Sequence, residues 1–314
     1  MSKLLTIDFE FVPDLSLAEY LAGYQRVEAQ DTADQIDDTV ARVEAMKKYA
    51  LEKFNGEDKM LPPGLHQIVT AGVHLAEIQT TPNIGEWYQT LHLSSTSDAE
   101  PVIVANIVEW MRKLLPRVVS YNGRSCDFPL LAMRAMKYGI DMGFWFSTAD
   151  RWNNYTSRFA TDYHFDVMDW LSLYGATSRL KLREVMALLQ LPDKIYRGGE
   201  VLDMWLAGDI THIREYCELD SMNTFLAYVH VQHLRGVITK AGMDASIRSA
   251  ISFLKQHLDQ KYLHGFLLEW CRLDPFVNAE CPELQPVPVT APCLGCKIVD
   301  GQVIERYPDC PVHR

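Results

Sequence analysis

A chain of 314 residues with 48% hydrophobic and 23% charged residues has an ordinary globular composition, long enough for one large core or two modest ones. Its net charge of −11 argues against a protein that coats nucleic acid generally, and no apolar run reaches the roughly 18 residues that a membrane span needs, so no membrane partner is expected. The first strand begins at Leu4, which leaves no room for a signal or transit peptide, and a cytoplasmic location is the expectation. Seven cysteines is an odd count, and Cys126 and Cys217 fall in apparent helices beside charged residues, so reduced thiols are expected and not a disulfide framework.

The stretch LLTIDFEFV (4–12) is a buried strand with two acids set into it. Alternation puts Asp8 and Glu10 on one face and Ile7, Phe9 and Phe11 on the other. Two carboxylates this close repel, so they either meet water or a lysine at the strand end or share a compensating cation, for which a divalent metal is the natural choice. Residues 15–56 are rich in Ala, Glu, Gln and Lys and have the pattern of a helical insertion that closes at Asn55-Gly56; LPPG (61–64) then breaks the chain. A long strand is expected at 66–78 and its neighbour at 86–94. An amphipathic helix over 99–115, a short buried strand at 117–122 and a helix over 127–138 follow, with further helices near 166–174, 180–190 and 210–234.

This alternation indicates a mixed α/β sheet with helices on its faces, in a domain spanning 1–235 with the insertion at 15–60. Over 243–271 one long amphipathic helix is expected, with Ile247, Ile251, Leu254, Leu258, Phe266 and Trp270 as the stripe that packs on the core. Residues 272–314 form a separate Cys-rich tail. The charge is uneven: about half of the excess acid lies in 14–60, whereas Arg112, Lys113, Arg117, Arg124, Arg134 and Lys137 cluster, as do Arg179, Lys181 and Arg183 followed by Lys194 and Arg197. Such runs either guide a phosphate backbone or are solvated helix faces.

Two places supply partners for the strand acids. In YNGRSCDF (121–128) the short strand ends and Asp127 falls at a helix start, where an acid also suits the helix dipole. In REYCELDSMNTF (214–225) Tyr216 and Asp220 stand four apart on one helix face and can reach a common target. With DFE at Asp8 and Glu10, YNGRSCDF at Asp127 and YCELD at Tyr216 and Asp220, the sequence resembles a 3′→5′ exonuclease of the DEDD superfamily, tyrosine subclass. It is most similar to the exonuclease domains of family B DNA polymerases and their stand-alone relatives. The resemblance covers roughly residues 4–230 and includes LPPGLHQIV and HFDVMDWLSLYG.

The resemblance implies an RNase H-like mixed sheet flanked by helices, and two Mg²⁺ or Mn²⁺ ions about 4 Å apart. It gives Asp8 the bridging position, Glu10 and Asp220 the ion that activates water, and Asp127 the second ion, with Tyr216 orienting the attacking water. A histidine subclass would place His where Glu215 stands, and His212 is too far along the helix to substitute. Phe11, Asn122 and Arg124 are candidates for gripping the terminal nucleotide, Phe11 being equally suited to the core. His164 and Asp166 are better read as supports than as ligands. Too few residues follow 230 for a polymerase domain, so a free nuclease on single-stranded DNA is expected; an RNA-trimming exonuclease and a catalytically weak binding scaffold are the rival readings.

The tail adds a second metal expectation. Cys293-x-x-Cys296 and Cys310-x-x-His313 bracket a hairpin pattern turning at Asp300-Gly301, and this resembles a small zinc ribbon. Cys281 is the reserve ligand should His313 fray. A disordered tail with free thiols is the alternative.

Overall fold

The computed structural model describes residues 2–25, 32–57, 59–147, 150–193 and 201–284, with the backbone of 297–299 and 302–305. In chain order the elements are β1 (Lys3–Pro13), α1 (Ala18–Leu21), α2 (Thr32–Lys53), β2 (His66–Thr81), β3 (Gly85–Thr96), α3 (Glu100–Leu114), β4 (Arg117–Ser120), α4 (Asp127–Lys137) and α5 (Gly143–Phe146). Then come β5 (His164–Asp166), α6 (Val167–Leu171), α7 (Leu182–Leu189), α8 (Val201–Leu206), α9 (Ile210–Leu234), α10 (Lys240–Lys255), α11 (Lys261–Leu273), α12 (Pro275–Glu280), β6 (Lys297–Val299) and β7 (Gln302–Glu305).

The main sheet has the order β3-β2-β1-β4-β5. β1 runs antiparallel to β2 and parallel to β4, and β4 runs parallel to β5, so the sheet is mixed. A middle strand is covered on both faces, which is why β1 is apolar on both. Leu5, Ile7 and Phe9 join Ile103, Val108 and Leu131 on the side of α3 and α4; Leu4 joins Phe225, Ile251 and Trp270 on the side of α9, α10 and α11. Together these layers form an RNase H-like α/β fold. The insertion after β1 docks through Val43 and Met46 of α2 on Leu15, Ala18 and Leu61.

The helices beyond residue 235 belong to the same core. Ser246 and Ser249 of α10 accept hydrogen bonds from the backbone N–H groups of Tyr88 and Thr90 on the edge strand β3, at 2.9 and 3.0 Å. At Gly242 an added Cβ would stand 2.3 Å from the Glu86 carbonyl oxygen, so only glycine lets α10 come this close. Tyr262 of α11 and Ser95 of β3 both donate to the buried Glu218 of α9, Ser95 at 2.5 Å.

Two elements differ from the expectation. The single helix over 243–271 is two, α10 and α11, separated by a turn at 256–260. Its apolar stripe runs unbroken at four-residue spacing through Leu254, Leu258, Tyr262, Phe266 and Trp270, so periodicity alone does not mark the turn, where His257 hydrogen-bonds to the Phe253 carbonyl at 2.8 Å. The helix expected at 166–174 is the short α6, preceded by strand β5, because Asp166 caps α6 by accepting from the Asp169 N–H at 3.1 Å. In the tail, β6 and β7 pair antiparallel with Ile298 opposite Val303. The candidate zinc ligands Cys293, Cys296, Cys310 and His313 lie outside the described residues. Cys281 is buried in the core, in the cluster that also holds Cys271 and Val277.

Candidate active site

Asp8 and Glu10 lie half-buried on the face of β1 that α9 crosses, while Ile7 and Phe9 fill the opposite face. The register pairs Asp8 with Gly72 of β2. A Cβ on Gly72 would sit 2.4 Å from the Cys217 carbonyl oxygen, so the missing side chain lets the α9 backbone rest on the sheet directly beside Asp8. The Cys217 thiol lies 3.4 Å from the Asp8 carbonyl oxygen and 3.5 Å from its Oδ2. One ligand atom each from Asp8, Glu10 and Cys217 fall within 4.8 Å of one another. Tyr216 and Asp220, one turn apart on α9, are both buried there.

Asp127 enters from the other side as the first residue of α4. Its Oδ1 accepts the N–H of Phe9, the residue between the two strand acids, at 3.2 Å. Burial pushes the Asp127 carboxyl up to about 7; the Phe9 N–H opposes this, and the charges of Asp166 and Asp220 add to it. Burial raises the Tyr216 hydroxyl and the Cys217 thiol well above their usual ranges, with Asp8, Glu10 and Asp220 adding to both. Cys126, one residue before α4, is pushed up to about 12 by burial and then by Asp127, Asp8 and Glu10. The charges that weigh on this pocket are therefore acidic, and its thiols are neutral. A crowd of carboxylates with no thiolate among them is a donor set for a hard, oxygen-seeking divalent cation.

The loop before α4 is built by backbone bonds. Asp166 accepts the N–H of Asn122 and of Arg124, each at 3.0 Å. Asn122 takes a left-handed φ of 66°, and Gly123 has no room for a Cβ, which would stand 2.4 Å from Ser120 Oγ. His164 is hydrogen-bonded to Ser120 at 2.8 Å behind this loop. Both His164 and Asp166 thus shape the loop, and the charge of Asp166 also weighs on Asp127. Arg124 is committed to the backbone: its Nη2 donates to the carbonyls of His164 at 2.6 Å and Ser157 at 3.2 Å. Phe11 is half-buried with its ring edge-on to His66 at 4.9 Å. His212 pairs with Asp209 at the start of α9, at 2.6 Å.

Much of the first basic cluster is engaged with partners inside the protein. Arg134 is buried between Asp14, at 2.7 Å, and Glu100; Lys137 reaches the same Asp14 oxygen at 2.8 Å. Arg117 bonds to Asp162 and to the Tyr228 hydroxyl, while Arg112 and Lys113 both pair with Glu109. Their partners lie far away in sequence or within one helix turn, so the count of basic residues in one stretch misrepresents the free charge. In the second run, Arg179 and Lys181 are exposed and make no ion pair among the described residues, and Arg183 pairs with Asp193 at 3.4 Å.

Fold and site together define an RNase H-like α/β protein with a carboxylate cluster at the centre of its sheet. A family profile described as a predicted 3′-5′ exonuclease related to the exonuclease domain of PolB matches residues 58–270, and the chain belongs to that family. The family description makes it a predicted phosphodiester-hydrolysing enzyme. The matched segment contains Asp127, Tyr216, Asp220, α10 and α11, and β1 with Asp8 and Glu10 precedes it. Among solved structures, the chain is similar to the family B DNA polymerase from the hyperthermophilic archaeon Pyrobaculum calidifontis, at 11% identity and a TM-score of 0.43. The similarity covers 89% of this chain and 27% of the polymerase. No curated protein matches the chain in sequence. No helix among the described residues is long and apolar enough to cross a membrane.

Proposed function

We propose that the chain removes nucleotides from the 3′ end of single-stranded DNA, with Asp8, Glu10, Asp127 and Asp220 holding two Mg²⁺ or Mn²⁺ ions and Tyr216 orienting the attacking water. The observation that carries this reading is the convergence of acids from β1, α4 and α9 on one pocket, where Asp127 is buried against the Phe9 N–H and Gly72 admits α9. Ions bound there would offset the charge of the reacting phosphate and supply hydroxide from water near neutral pH. Burial, with the charges of Asp220, Glu10 and Asp8, favours the protonated Tyr216 hydroxyl, which suits a group that hydrogen-bonds the attacking water. Asn122 and Phe11 flank the pocket and would contact the terminal nucleotide. Arg124 would brace the loop that carries Asp127. A pocket half-buried between β1 and α9 favours a frayed end over a blunt duplex. The free thiols of Cys126, Cys217, Cys271 and Cys281 suit a reducing compartment such as the cytoplasm.

The test is incubation of 5′-labelled single-stranded DNA and RNA of matched sequence with Mg²⁺, Mn²⁺ or EDTA. The expected result is a ladder shortening from the 3′ end, faster on DNA, with none in EDTA and no cleavage of a circular single strand. Cleavage of the circle, or hydrolysis that persists in EDTA, would refute the proposal. Faster loss of the RNA would assign the site to RNA trimming.

A further inference from the structure

We infer that Phe159, Leu173 and Tyr174 form a stacking platform for bases of the incoming single strand, with Arg179 and Lys181 beside it to meet the phosphates. This rests on the exonuclease reading and extends it to the path of the strand. Phe159 is 66% exposed and Leu173 62% exposed. The Phe159 ring meets Tyr174 at 4.8 Å and 69°. Arg158 lies 5.4 Å from the Tyr174 ring centre, is locked on Asp169 through two bonds of 2.8 and 2.5 Å, and donates to the Tyr174 carbonyl at 3.0 Å. Tyr174 is thus anchored while the apolar surface of Phe159 stays in water.

The backbone beneath them is strained. Leu173, Tyr174 and Gly175 follow one another with φ of 49°, 58° and 93°. A glycine suits such a conformation, whereas a leucine or tyrosine there is disfavoured by its own Cβ. The turn is pinned by the Tyr174 N–H to the Asp169 carbonyl at 2.8 Å and the Thr177 N–H to the Ser172 carbonyl at 3.0 Å. Leu173 holds this left-handed conformation while most of its side chain stays exposed. Strain that persists at a surface with no core to serve is a mark of function.

The platform adjoins the candidate active site through bonds already described and one more. Asp169 donates its N–H to Asp166, which holds Asn122 and Arg124. The Tyr121 hydroxyl donates to the Leu180 carbonyl at 2.6 Å, which fixes the Arg179–Lys181 run against the loop that leads to Asp127. Rings for bases and exposed cations for phosphates are the combination by which single strands are held without regard to sequence.

The decisive measurement is anisotropy of a fluorescent oligothymidylate of about twelve nucleotides, in EDTA, so that binding is read without turnover. Phe159→Ala should bind about tenfold more weakly with an unchanged melting temperature, and Phe159→Trp should restore binding. Arg179→Ala with Lys181→Ala should flatten the slope of log affinity against log salt by about 1.4. Phe159→Ala binding as tightly as wild type, or Phe159→Trp binding as weakly as the alanine variant, would overturn the platform. Hydrolysis is read separately, by adding Mg²⁺ or Mn²⁺ to the wild-type complex. A wild type that binds through Phe159 but does not cut would remove the exonuclease reading and leave the platform, and one that cuts with Phe159 irrelevant to binding would do the reverse.

Discussion

At the scale of single residues, the acid pocket and the glycine beside it make different predictions. Asp8→Ala and Asp220→Ala should each abolish hydrolysis of single-stranded DNA without unfolding the chain, because each removes a carboxylate from a crowd of like charge. Turnover at the wild-type level in either variant would show that the acids are not the ligands. Tyr216→Phe should lose about a hundredfold or less in rate, since one orienting hydroxyl goes and the carboxylates stay. Gly72→Ala should lower stability and activity together, because its Cβ would meet the Cys217 carbonyl oxygen at 2.4 Å and push α9 off the acids. A Gly72→Ala protein with unchanged melting temperature and rate would show that the helix is not held there. That Asp8 and Glu10 share one face of β1, and Tyr216 and Asp220 one face of α9, could be read from the sequence because the geometry is local: two residues apart on a strand, four apart on a helix. Gly72 was not, since nothing near it in the chain tells that α9 will lie on it.

At the scale of elements, the helix that presents Asp127 is set by a buried charge network that the sequence showed only as a basic cluster. Arg134 and Lys137 on α4 both hold Asp14, just after β1, and Arg134 also holds Glu100 at the start of α3. Glu100 in turn accepts from the Ile68 N–H of β2 at 2.7 Å. Arg134→Met should cost about 3–5 kcal/mol, because it strips buried acids of their main cation; a loss of unfolding free energy in urea of less than a third of that would contradict the account. The same network carries a pH dependence. Burial alone would raise the Asp14 carboxyl, but hydrogen bonds from Lys137, Ser16 and Arg134 outweigh it and hold it at about 2. A carboxyl lowered in the folded state contributes stability that is complete above about pH 4 and is lost as pH falls toward 2, here roughly 2 kcal/mol. Asp14→Asn should remove that part of the acid dependence, and an unaltered slope of stability between pH 4 and 2 would refute the assignment. The partners could not be read from sequence because Asp14, Glu100 and Arg134 come from three distant stretches. The break between α10 and α11 was hidden for the opposite reason: the stripe keeps its phase across the turn.

At the scale of the whole molecule, the four acids all lie within the first 220 residues, which invites the view that the nuclease ends near 235. The packing says otherwise. α10 and α11 complete the core around Ile247, Ile251, Leu254, Phe266 and Trp270, and the family match runs on to residue 270. A chain truncated after residue 239 should lose cooperative unfolding, and retention of the full-length melting temperature would argue for a smaller independent unit. A mixed sheet was inferable from alternating strands and helices, but the closing role of α10 was not, because it depends on hydroxyl groups meeting a strand whose sequence shows no need of them.

That contact has a consequence for solubility. The hydroxyls of Ser246 and Ser249 answer the N–H groups that β3 would otherwise offer outward at Tyr88 and Thr90, so this part of the lateral margin is covered against pairing with a second copy of the chain. A fragment cut before α10 would uncover that margin and invite strand exchange between molecules, with aggregation in place of a smaller working nuclease. Light scattering of such a fragment, set against a full-length Ser246→Ala, Ser249→Ala variant, would separate loss of the cover from loss of its two hydroxyls. For expression and design, the useful boundary of this enzyme therefore lies beyond the last residue that touches its chemistry.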